Sequence, residues 1–86
     1  MGRTELAAID EAGIGEASGD MFLRLGMMYS IGADIPTDYV SAHKWFNLAA
    51  MRGNAEAIRL RREVAAQMSE AEIAAAQRAA RDWLRH

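Results

Sequence analysis

The stretch from Leu25 to Gly53, LGMMYSIGADIPTDYVSAHKWFNLAAMRG, limits the possible folds more than any other part of the chain. Two blocks with helical spacing flank Gly32-Ala33-Asp34-Ile35-Pro36-Thr37. That run holds a glycine suited to end one helix and a proline that fixes φ in the turn. Small residues stand at Gly26, Ala42, Ala49 and Ala50, and large ones at Tyr29, Trp45 and Phe46. Small residues let two helix axes approach and aromatic rings fill the remaining space. The pattern therefore describes an antiparallel helical hairpin.

The rest of the chain extends this reading to an all-α fold of four firm helices and a weak N-terminal one, with no strand pattern. Residues 4–12, TELAAIDEA, form a short helix candidate with Leu6, Ile9 and Ala12 on one side, interrupted by Gly13 and Gly15. Ser18 is suited to cap a helix over 19–31, whose inner stripe is Phe22, Leu25, Gly26 and Tyr29. Thr37 or Asp38 caps a helix over 38–52 that turns Tyr39, Ala42, Trp45, Phe46 and Ala49 inward, and Gly53 closes it. Asn54 caps a helix over 55–68 with Ala57, Leu60, Val64 and Met68 in register. Ser69 and Glu72 have the spacing of a capping box, opening a helix over 70–85 with Ile73, Ala76, Ala80, Trp83 and Leu84 on its stripe. A shift of thirty-six positions, Ser18 onto Asn54 and Phe22 onto Ile58, aligns caps and apolar residues before failing where Leu25-Gly26 meets Arg61-Arg62.

Composition excludes several function classes. The chain has 86 residues, enough for one domain near the low end of what folds alone. It has no cysteine, so disulfides and thiolate metal sites are ruled out, and no apolar run approaches the length of a membrane span. The N-terminus has acids where a signal peptide needs an apolar segment, so a cytoplasmic location is expected, or a periplasmic one if the chain is a piece of a longer protein. The net charge of −2 separates into −4 over residues 1–51 and +2 over residues 52–86. An acidic chain without basic–aromatic interleaving is a poor partner for nucleic acid.

The motif Leu25-Gly26-x-x-Tyr29-x-x-Gly32, then Ile35-Pro36-x-Asp38, Ala42-x-x-Trp45, Ala49-Ala50 and Gly53, resembles the Sel-1-like repeat, a family related to tetratricopeptide repeats. The tail RREVAAQMSEAEIAAAQRAARDWL looks like the terminal helical pair that closes many bacterial members. The motif covers about a third of the chain, and with the tail about residues 17–84. It departs from the family at Asp34, where a second turn glycine is usual; aspartate tolerates a left-handed backbone better than most residues. The resemblance implies an α/α solenoid divided into an incomplete N-terminal helix (1–16), a full hairpin (17–53) and a C-terminal capping pair (54–86). It implies scaffolding through protein–protein contacts, without catalysis and without a cofactor.

The residues themselves give chemistry little to work with. His43 reads as a satisfied or exposed helix histidine, with no second histidine or cysteine at metal spacing. Asp10 and Glu11 are adjacent and face apart on a helix. Gly13-x-Gly15 lacks the strand and third glycine of a phosphate loop. Tyr29, Trp45 and Trp83 read as core. Candidate binding residues are those the core stripes leave unused: Leu23, Arg24, Met27 and Met28 on the first hairpin helix, with Arg59 and Arg62 on the helix that a solenoid would place beside it. Methionine and arginine are enriched in interfaces. The expected function is a non-catalytic interaction module that docks a protein or self-associates; the alternatives are a small-ligand-binding or regulatory domain, or an accessory subunit. With so few large apolar residues before Gly15, Met21 and Phe22 are expected to need a cover, either a two-fold homodimer through the N-terminal end or a partner with a basic surface.

Overall fold

The computed structural model describes residues 14–85. It is all-α, with helices α1 (Ile14–Ile31), α2 (Tyr39–Met51), α3 (Ala55–Ala65) and α4 (Glu70–Arg85). The candidate helix over 4–12 and terminal His86 lie outside the described residues.

Most helix ends are set by the residues the sequence singles out. Gly32, at φ +71°, donates its N–H to the Met28 carbonyl at 3.2 Å and ends α1 in a left-handed cap. Asp38 is the N-cap of α2: its Oδ1 accepts from the Ser41 N–H at 3.1 Å and its Oδ2 from the Ser41 hydroxyl at 2.7 Å. At the far end Gly53, at φ +90°, donates to Ala50 and Asn54 donates to Ala49, the paired bonds of a Schellman motif. Asn54 then caps α3 through Oδ1 and the Ala57 N–H at 3.0 Å. Ser69 and Glu72 form the reciprocal capping box, at 2.8 and 3.1 Å.

Two helix ends and one turn residue differ from the sequence reading. The helix α1 begins at Ile14, so its backbone runs through Gly15 and Ser18, and Ser18 is not a cap. Helix continues there because Gly19 is buried against the α2–α3 turn, where an added Cβ would stand 3.4 Å from Arg52 Cβ. The thirty-six-residue alignment thus pairs a mid-helix Ser18 with a true cap at Asn54. The helix α3 stops at Ala65, and bonds from Gln67 to Val64 and from Met68 to Ala65 tighten the chain into a turn. Asp34 needs no left-handed backbone, since among the described residues only glycines have positive φ.

The helix α2 is the common support. Helices α1, α3 and α4 each pack on it, and contacts among those three are sparse. The expected 54–86 pair is therefore two helices placed on one central helix. Pairing Gly19 with Arg52, Gly26 with Phe46 and Tyr29 with Asp38 makes α1 and α2 antiparallel. A Cβ on Gly26 would overlap the Phe46 ring, so the close crossing depends on that glycine. Phe46 and Leu48 are fully buried, in one cluster with Ala42, Ala49, Ala57 and Ala80. Leu25, Tyr29, Trp45 and Ala50 are half-buried against this core.

Candidate interaction surface

The α1–α2 connection builds an apolar groove on the solvent side. Beyond Gly32 the chain folds back along the end of α1, fixed by the Asp38 N–H donating to the Tyr29 carbonyl at 2.9 Å. This return lays Ala33, Asp34 and Ile35 beside Arg24, Met27, Met28 and Ile31, enclosing a groove of about 380 Å³. Met27 is 38% exposed, Met28 47% and Ile31 65%. These side chains lie off the Phe22–Gly26 face that meets α2, so the hairpin does not cover them.

A second concavity of about 600 Å³ adjoins the first, with Ile35 lining both. Tyr29, Pro36, Tyr39 and Val40 line it together with the acidic residues Asp38 and Glu72. The N–H and then the hydroxyl of Ser41 hold the Asp38 carboxyl below its ordinary pKa, which fixes its negative charge. Glu72 uses Oε1 for the capping box, leaving Oε2 for another donor.

The six sequence-predicted surface residues do not gather in one place. Arg24, Met27 and Met28 line the groove, whereas Leu23 is half-buried against the core. Arg59 and Arg62 line neither concavity; both stand exposed on α3, where Arg59 pairs with Glu56 and, at 2.6 Å, with Glu63. Sequence reasoning missed Ile31, Ala33, Asp34 and Ile35, because the pattern of a turn shows where it bends and not what it returns against.

Near the middle of α1 an aromatic cluster joins three helices. The Phe22 and Trp45 rings stack at 5.6 Å, and Trp83 meets them edge-on at 5.1 and 5.9 Å. Phe22 is buried inside this chain and needs no external cover. Met21 beside it is exposed. Trp83, expected in the core, is 40% exposed although its ring meets Phe22 and Trp45; its neighbour Leu84 is exposed with it.

His43 also departs from expectation. It is 4% exposed and its Nδ1 has no hydrogen-bond partner. Burial, followed by the positive charge of Arg61, pushes its pKa below the usual histidine value. Arg61 itself donates to Asn47 Oδ1 across the α2–α3 contact at 2.7 Å. Among the described residues no three or more His, Cys, Asp or Glu side chains gather as a metal site requires, and no helix is long and apolar enough to cross a membrane.

Compared with known protein families, curated proteins and solved structures, the chain matches none.

Proposed function

We propose that this chain is a non-catalytic docking module that receives a partner protein in the groove between α1 and the α1–α2 connection. One observation carries the reading. Met27, Met28, Ile31 and Ile35 converge on a concave solvent-facing surface, although the chain buries other apolar residues of similar size completely. Apolar grooves of this kind receive the apolar face or anchors of a partner segment, and flexible methionines adapt to its shape. The sequence resemblance to Sel-1-like repeats supports the same role, since that family acts through protein–protein contacts.

Substituting Met27→Glu together with Met28→Glu tests the proposal. Both side chains are exposed, so the helical circular dichroism and melting temperature are expected to stay unchanged while a stoichiometric partner retained by the wild-type chain is lost. Retention of that partner by the folded double variant would overturn the assignment. Self-association, the other form such a module takes, would show as a dimer mass in light scattering that the same double variant converts to a monomer.

A further inference from the structure

Resting on the docking reading above, we infer that the occupant is a basic segment of a partner protein: apolar anchors enter the groove and a lysine or arginine beside them enters the adjoining cleft. The two concavities share Ile35, so one continuous segment can cross from one to the other. Among the described residues the two linings hold three acidic residues, Asp34, Asp38 and Glu72, and one basic residue, Arg24. None of the described residues that line the cleft is basic. Tyr29 and Tyr39 line it, and tyrosine rings attract an ammonium or guanidinium group that lies over their faces. An acidic or neutral segment would gain the apolar contacts alone and meet repulsion or no attraction in the cleft.

The residues that supply the charge allow a clean test. Asparagine caps a helix about as well as aspartate, and glutamine replaces glutamate in a capping box. Asp38→Asn with Glu72→Gln therefore removes two negative charges and keeps both caps. Random peptides displayed on phage are selected on the immobilised full chain, on this double variant, and on Met27→Glu/Met28→Glu. Selection on the wild-type chain is expected to enrich peptides that combine apolar residues with Lys or Arg. The Asp38→Asn/Glu72→Gln selection keeps the apolar preference and loses the basic one, and Met27→Glu/Met28→Glu enriches neither. In fluorescence anisotropy a selected peptide binds about tenfold more weakly to the charge-removed variant, with a smaller dependence on salt. Enrichment of acidic or neutral peptides, or indifference to the loss of Asp38 and Glu72 charge, overturns the basic partner and leaves the groove standing. If no peptides are enriched on the wild-type chain, or the same peptides are enriched on Met27→Glu/Met28→Glu, the docking reading itself fails.

Discussion

His43 is the residue whose environment departs furthest from its chemistry. A histidine buried with an unpartnered nitrogen and a guanidinium nearby favours the neutral ring, so its pKa in the folded chain lies below the ordinary 6.5. The sign of the pH effect follows from linkage. Above the unfolded value the ring is neutral in both states and the fold has its full stability. As pH falls below that value the unfolded chain takes up the proton first, and stability declines until the folded ring also titrates. Between about pH 7.5 and about pH 5.5 the urea midpoint is expected to drop in the wild-type chain and to stay level in His43→Leu. The leucine variant should be at least as stable as wild type near neutral pH, because replacing an unsatisfied buried polar group by an apolar one of similar shape is neutral or favourable. A pH response that persists in His43→Leu would place its origin elsewhere. None of this was legible in the sequence. A lone histidine between Ala42 and Lys44 gives no sign that it is buried, and that knowledge comes only from how the helices pack.

At the scale of the element, the helix ends were the most legible part of the chain, because caps are local. Asp38, Asn54, Ser69 with Glu72, Gly32 and Gly53 each act within a few residues of themselves. Asp38→Ala leaves the Ser41 N–H without its acceptor and is expected to cost about 1 kcal/mol, whereas Asp38→Asn should cost only a few tenths. Urea midpoints of the two variants separate a cap from a residue that merely sits at the turn; equal midpoints would refute the cap. The sequence misread the start of α1, where Gly15 and Ser18 carry strong local signals for a break. There the packing of Gly19 against Arg52 outweighs a propensity penalty of about 1 kcal/mol per glycine. The candidate surface was half legible for the same reason. Arg24, Met27 and Met28 follow from the face of one helix, and helical spacing gives that directly. Arg59 and Arg62 depended on assuming how two helices lie side by side, and spacing within a helix carries no such information.

At the scale of the whole molecule, α2 determines how the chain holds together. Its sequence, YVSAHKWFNLAAM, has apolar or small residues on every face, and a helix of that kind belongs at the centre of a protein. Packed on by α1, α3 and α4, it is shared by all of them. That sharing has a measurable consequence. In stacked repeats each unit touches only its neighbours, so ends can unfold before the middle. Here removal of any one outer helix uncovers part of α2, so the loss should spread to the others. Both tryptophans, Trp45 and Trp83, sit in the cluster that joins α1, α2 and α4, whereas far-ultraviolet circular dichroism reports every helix, including α3. The two signals are therefore expected to trace one urea transition with the same midpoint, as a two-state domain does. A tryptophan transition at lower urea than the loss of helix would mean that α4 detaches while the rest stays folded, and that α2 does not couple the helices into one unit.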